Sequence, residues 1–418
     1  MAANPSDLLA RAIDADRQWD RLMRMGAIGM VEQTGVDRAC LTADDRTARR
    51  LLIGWAEAAG AGVSVDAAGN LWLRREGMQP DAAPVLTGSH MDTQPRGGRF
   101  DGIWGVIAGL EVLSALHALD LRTARPIEVV AWTNEEGGRF APGCMGSMAW
   151  SGHTPLERFA GVRDEAGISF GEALAEQLAL ESDLPRRALG GRPHGYVEAH
   201  IEQGPLLEAA AQQVGVVTGI QGSRWFTVTL QGASAHAGTA PLSLRRDAVQ
   251  DMLRAIAALN QLTHDPDDVL RFTVGRITVS PNTSNSVAER VTFSIDLRHP
   301  DASVLRARGD AIAETVRAAV TTTAATVTEV FHAMPIRFDE AVIDAVEQAA
   351  AAEGVSHRRM PSGAFHDAQF VAGICPSGML FVPCRDGISH NVAEYASPGH
   401  LAAGTRVLAR TLLALAAG

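Results

Sequence analysis

Cysteine is scarce in this sequence. Cys40, Cys144, Cys375 and Cys384 are the four present, and no two of them have CxxC spacing. That excludes a disulfide framework as the source of stability and fits reduced thiols in a cytosol. Long apolar runs are missing too, since none approaches the roughly 20 residues a membrane span requires. There is no basic excess. The formal net charge is −11, which argues against a nucleic-acid partner, because a phosphate backbone needs a positive footprint. The amino-terminal segment "PSDLLARAIDADRQWDRLM" has no basic stretch followed by an apolar core, so no secretion signal is expected and a soluble, cytoplasmic protein is. Internal repeats and low-complexity tracts are also absent. The glycines near Asp101 do not spell GxGxxG after a strand, which removes the usual dinucleotide fingerprint.

What is present is an ordinary globular composition, 46% hydrophobic and 20% charged, over 418 residues. That length exceeds what one core usually supports, so two domains are expected. Helical patterning covers roughly residues 5 to 27 and 43 to 60. Short strands follow at "VSVDAAGNLWLRRE" and "APVLTGSH", then a helix at "GIWGVIAGLEVLSALHAL" and a strand at "PIEVVAW". Strand, helix, strand in this order predicts a parallel sheet with crossover helices. Such sheets gather ligand groups at the carboxyl ends of their strands. His90 and the Glu135–Glu136 pair both stand at such ends.

The middle of the chain reads differently. Strands at 224–232, 271–279, 290–298 and 326–332 alternate with helices at 241–262 and 301–323. This β-α-β-β-α-β order predicts a ferredoxin-like α+β unit inserted into the first domain. The boundaries fall near 219 and 334, giving an outer domain of residues 1–218 and 335–418 and an insertion of 219–334. Gly219 and Pro335 are the hinge candidates. A helix at "DEAVIDAVEQAAAAEG" and a strand at "GMLFVP" then rejoin the first sheet.

Chemistry concentrates in a few motifs. "GSHMDTQPRGGRFDG" carries His90, Asp92 and Asp101, and imidazole with carboxylate suits Zn²⁺ or another first-row cation. Asp92 is placed to orient His90 by accepting its free N–H. The plainer alternative is that Asp101 caps a helix and His90 is a loop histidine. "TNEEGGRF" sets two like charges side by side. Either the pair is a solvated turn, or Glu136 holds a cation while Glu135 accepts a proton from an activated water. "HIEQGPLLE" adds His200 and Gln203, and "GISHNVAE" adds His390. With a bridging Asp101, these side chains supply ligands for two cations, which such sites hold about 3.5–4 Å apart.

Together with "SAHAGTAP", "NTSNSVAERVTFSIDLRHPD" and "SGAFHDA", these motifs resemble the hydantoinase/carbamoylase family of amidases, relatives of the di-zinc aminopeptidases. The resemblance covers nearly the whole chain and includes motif order. It implies a mostly parallel-sheet catalytic domain of the di-zinc aminopeptidase type with an inserted ferredoxin-like lid and dimerisation domain. It implies two divalent cations, zinc first and manganese, nickel or cobalt as substitutes. His90, Asp101 and His200 would hold one; Asp101, Glu136 and His390 the other. Glu135 matches the general base and Asp92 the residue that orients His90. His236 would face the scissile carbonyl, Asn285 and Arg298 would grip a substrate carboxylate, and Gln203 and Gly363 would line the pocket. For Arg298 a salt bridge to Asp296 or Asp301 is the alternative, and for His236 a turn. His366 and Asp367 match a supporting pair, while Phe365 departs from the glycine common in relatives. The implied reaction is hydrolysis of the ureido C–N bond of an N-carbamoyl-L-amino acid or N-carbamoyl-β-alanine, with allantoate hydrolysis second. A dipeptidase or an inactive binding relative is a weaker expectation. The implied partners are a small carboxylated substrate and a second copy of the chain.

Overall fold

A computed structural model describes residues 4–417; the first three residues of the amino-terminal segment lie outside it. The described chain divides into two compact units, residues 4–218 with 338–417, and residues 219–337.

The first unit is built on a large sheet, to which it contributes eight strands among the described residues. Four strands form its middle in the order Ser377–Val382, Gly195–Ile201, Val85–His90, Ile127–Trp132, and all three pairings among them are parallel. Towards one margin Leu71–Arg75 adds antiparallel to Ile127–Trp132 and Gly62–Val65 adds antiparallel to Leu71–Arg75; towards the other, Val214–Ile220 adds antiparallel to Ser377–Val382. A mostly parallel sheet was expected. The sheet is mixed instead, with a parallel middle and antiparallel strands towards both margins, one pair of them a hairpin. The cause is local: only five residues separate Gly62–Val65 from Leu71–Arg75, too few for a parallel crossover.

The middle strands are buried along their whole length, as parallel strands covered on both faces must be. Helix Ile103–Ala118 makes the crossover and is buried from Ile103 to Leu116, packed on Val85–His90, Ile127–Trp132 and Gly195–Ile201. Helix Pro398–Leu415 packs beside it. The expected helix over 5–27 is two helices, Pro5–Arg11 and Ala15–Gly26, because the Asp14 side chain accepts from Arg17 N–H and starts a new one.

The second unit has a five-stranded sheet in which Arg271–Thr273, Arg290–His299, Gly222–Gln231 and Ala324–Ala333 lie in that order, all antiparallel. Helices Ala248–Leu262 and Ala302–Ala319 share its core with Phe226, Val228, Phe293 and Ile295. This is the strand order of a ferredoxin-like sheet. The strand expected at 271–279 is broken into Arg271–Thr273 and Ile277–Ser280, both pairing with Arg290–His299. Within this unit Ile336–Arg337 pairs antiparallel with Gly219–Ile220. No helix among the described residues is long and apolar enough to cross a membrane.

Candidate metal centre

The four parallel strands deliver their polar ends to one place. His90 is the last residue of Val85–His90 and lies in register with Trp132, after which the chain turns into Glu135 and Glu136. His200 is the penultimate residue of Gly195–Ile201, in register with Phe381. The loop after Ser377–Val382 brings His390. Asp101 comes from the segment just before helix Ile103–Ala118.

Two triplets result, His90–Asp101–His200 and Asp101–Glu136–His390; within each, one ligand atom per residue lies within 4.8 Å of the others. Asp101 belongs to both and divides its oxygens between them. Its Oδ1 lies 3.1 Å from His200 Nε2 and 3.6 Å from His90 Nε2; its Oδ2 lies 3.3 Å from His390 Nε2. Glu136 Oε2 is 3.4 Å from the same His390 nitrogen. Gly102 follows with φ +64°, and a Cβ there would stand 2.3 Å from the His90 ring. Only glycine admits both that backbone and that approach.

The histidines are fixed by their remote nitrogens. His90 Nδ1 donates to the Asp92 carbonyl at 2.9 Å and His200 Nδ1 to the Ile201 carbonyl at 2.9 Å. Each Nε2 lone pair is therefore turned to the centre, the tautomer a metal ligand needs. His366 packs edge-on against His200 at 4.5 Å between centroids, and its Nε2 contacts Ser362 Oγ at 3.1 Å.

Asp92 does something other than expected. Its carboxylate stands 3.7 Å from His90 Nδ1, too far for a hydrogen bond, and accepts instead from the Glu135 and Glu136 amides at 3.2 Å each. The main-chain carbonyl of Asp92 orients His90; its side chain holds the two glutamates. Gln94 completes the clamp on Glu136, donating its backbone N–H to Oε1 at 3.0 Å and its side-chain amide to Oε2 at 2.9 Å. Asn134, Gln203 and His390 take left-handed backbone, φ +55°, +57° and +52°. Such conformations cost of order 1–3 kcal/mol each and collect at functional sites.

Burial pushes Glu135 well above the ordinary carboxylate range, Asp367 and Glu136 adding to the effect. Burial and Asp101 lift Glu136 to about 7. Asp101 goes the other way: burial disfavours its charge, but His200, His390 and His90 hold it well below the usual range. The Asp101 contact lifts His390 to about 9. Buried carboxylates that repel one another, gathered with three imidazoles, fit divalent cations as counter-charge. The nitrogen and oxygen donor set suits zinc and other first-row metals. Glu135 Oε2 lies 3.4 Å from His90 Nε2, beside these ligands and outside both triplets.

Gln203 donates its amide to Asp101 Oδ2 at 2.8 Å and leaves its buried Oε1 without a partner. Gly363 is exposed in the turn after strand His357–Ser362, and Phe365 nearby is half-buried. His236, Asn285 and Arg298 belong to the second unit. There a two-stranded ribbon pairs Ala235–His236 with Ser286–Val287, and Ala237 N–H donates to the Asn285 carbonyl at 3.0 Å. His236 Nδ1 accepts from the Gly238 and Thr239 amides at 3.0 and 3.2 Å, which leaves its proton on Nε2. Arg298 is paired with Asp296 through Nε at 3.0 Å and Nη2 at 2.9 Å. Sequence reasoning passed over Gln94, Ser389, Glu394 and Glu198. Glu394 signals itself only as an acid four residues after His390.

Comparison with known proteins gives a concordant result. The profile of Peptidase family M20/M25/M40 matches residues 86–414. An N-carbamoyl-L-amino-acid amidohydrolase of Rhizobium meliloti is 40% identical over 96% of this chain and 97% of its own. An allantoate amidohydrolase of Bacillus subtilis (strain 168) is 35% identical over 84% of this chain and 85% of its own. Among solved structures, an amidase of the hydantoinase/carbamoylase family from Burkholderia multivorans superposes with a TM-score of 0.92 at 43% identity, covering 97% of this chain and 98% of that one.

Proposed function

The chain belongs to peptidase family M20/M25/M40, among its hydantoinase/carbamoylase amidases, and from that premise we propose that it hydrolyses the ureido C–N bond of an N-carbamoyl-L-amino acid. One observation carries the mechanistic part. Asp101 turns each carboxylate oxygen to a different set of imidazole and carboxylate donors, with Glu135 beside them. His90, Asp101 and His200 would hold one divalent cation and Asp101, Glu136 and His390 a second, with zinc the preferred ion. When bound, the cations supply Lewis acidity and a lowered pKa for a water.

The protein groups account for the remaining steps. Glu135 accepts the proton of the attacking water and returns it to the leaving nitrogen, a role suited to a carboxylate whose pKa is raised by burial. Asp92 keeps Glu135 in place through its amide. His236, with its proton on Nε2, serves as the donor to the carbonyl oxygen as charge develops there. Arg298, steadied by Asp296, and Asn285 hold the substrate carboxylate, while Gln203 and Gly363 line the pocket. Water adds to the ureido carbonyl and the bond to the amino-acid nitrogen breaks. The free amino acid leaves with a carbamate that decomposes to carbon dioxide and ammonia. We also assign the second unit the lid and dimer contact, which the exposed Leu242, Leu244 and Val330 on it support. The four free, buried cysteines support a reducing, cytoplasmic setting.

Allantoate is the second reading, favoured by the Bacillus subtilis relative and by the same need for a carboxylate anchor. The test is a steady-state panel of N-carbamoyl-L-methionine, N-carbamoyl-β-alanine and allantoate with metal-reconstituted enzyme. N-carbamoyl-L-methionine should turn over best; turnover of allantoate alone would replace the first reading by the second.

A further inference from the structure

His390 and Asp101 lie far apart in sequence, and something must hold the loop of one against the segment of the other. Glu394 does so by direct contact. It is 3% exposed, and its Oε1 accepts from the backbone N–H groups of Phe100 at 3.0 Å and Asp101 at 3.1 Å. Its Oε2 lies 2.9 Å from Ser389 Oγ, and that same hydroxyl lies 2.9 Å from Asp101 Oδ2. One carboxylate thus ties down the main chain of the shared ligand and, through Ser389, the residue before His390. The surrounding chain leaves room for it. A Cβ on Gly98 would stand 1.9 Å from Glu394 Oε1, so a side chain there would collide with the carboxylate.

The triplets differ in how much they need such a tie. His90 and His200 are strand residues, 1% exposed and fixed by their own backbone contacts. His390 sits on a loop in left-handed backbone with its side chain 48% exposed. A slack loop would move His390 away from Asp101 while leaving His90 and His200 where they are.

We propose that Glu394 is a positioning residue for the second cation, setting His390 and Asp101 at ligand spacing through Ser389 and the Phe100–Asp101 amides. It rests on the two-cation reading above. Outer-shell partners of metal ligands commonly change affinity by about 10- to 100-fold when removed.

The test is metal titration of chelator-stripped full-length protein with Zn²⁺ against a chromophoric competitor, without reference to turnover. The wild type should bind two equivalents. Glu394→Ala should keep one near wild-type affinity and weaken the other by about 10- to 100-fold, resembling His390→Ala rather than His200→Ala. Glu394→Gln should stay within about threefold of wild type, since its amide oxygen still accepts from Phe100 and Asp101 and its NH₂ donates to Ser389. Ser389→Ala, a smaller change that keeps the fold if Glu394→Ala does not, should weaken the same cation. Unchanged affinities in Glu394→Ala and Ser389→Ala would overturn the proposal. So would equal weakening of both cations, or a Gln variant as poor as Ala. A wild type that binds fewer than two equivalents overturns the two-cation reading itself.

Discussion

Asp92 shows how one side chain can serve two neighbours at once. By accepting both the Glu135 and Glu136 amides it removes the need for either glutamate to compete for a backbone donor. Replacing it with Asn leaves one amide facing an NH₂ group, at about 1.5–3 kcal/mol for a lost charged hydrogen bond. We expect Asp92→Asn to lower kcat while two equivalents of metal remain bound, read by kinetics and elemental analysis on the same sample. Glu135→Gln should be the cleaner break. Loss of the proton acceptor should cut kcat about 10²- to 10⁴-fold with KM and metal content nearly unchanged; undiminished turnover would remove Glu135 from its role. At this scale the gathering of His90, Asp101, Glu136, His200 and His390 into two triplets could be read from the chain, because candidate metal ligands are drawn from few residue types set in short turn motifs. Ser389, Glu394 and the Asp92 carboxylate could not. Their partners are backbone amides and a hydroxyl, and nothing in a sequence marks which amide an acid will meet.

Among the elements, Gly195–Ile201 is the most instructive. It is a central strand, yet "GYVEAHI" does not read as one, because Glu198 interrupts the apolar run. The structure makes that charge tolerable. Glu198 is fully buried and accepts from Ser89 Oγ at 2.7 Å, Ala368 N–H at 2.9 Å and the Tyr196 hydroxyl at 3.2 Å. Glu128 stands near the start of Ile127–Trp132 and leaves the apolar run 129–132 intact, whereas Glu198 splits the middle of this strand, so the first was found and the second passed over. The helix expected over 301–323 stops at Ala319 for a similar reason. The amides of Thr321, Thr322 and Thr323 donate to Asp251 on helix Ala248–Leu262, as do the Thr321 and Thr322 hydroxyls. Burial alone would raise the Asp251 pKa, but these donors, Thr322 and Thr321 first, hold it below the usual range. Its contribution to stability is then fully present above the ordinary carboxylate pKa and is lost as pH falls through the depressed native value. Asp251→Asn should destabilise the second unit by about 2–3 kcal/mol in urea unfolding at neutral pH. The difference from wild type should shrink in strong acid; a difference independent of pH would contradict the assignment.

For the molecule as a whole, the two units each follow from patterns visible in the chain, and the motif order carries the family. The mixed character of the large sheet was harder to read, because antiparallel margins depend on which short strands find each other. On the proposed two-cation reading, the buried acids of the first unit make bound cations part of its stability. Addition of Zn²⁺ to stripped protein should raise the free energy of unfolding, by about 2.7 kcal/mol for each site at a free concentration a hundred times its dissociation constant. The central claim is a pair of cations sharing Asp101, and metal content measured alongside turnover tests it most directly. Chelator-stripped enzyme should be inactive, and activity should return as the second equivalent of metal per chain is bound. Full turnover after stripping, or full recovery with a single equivalent, would contradict the account.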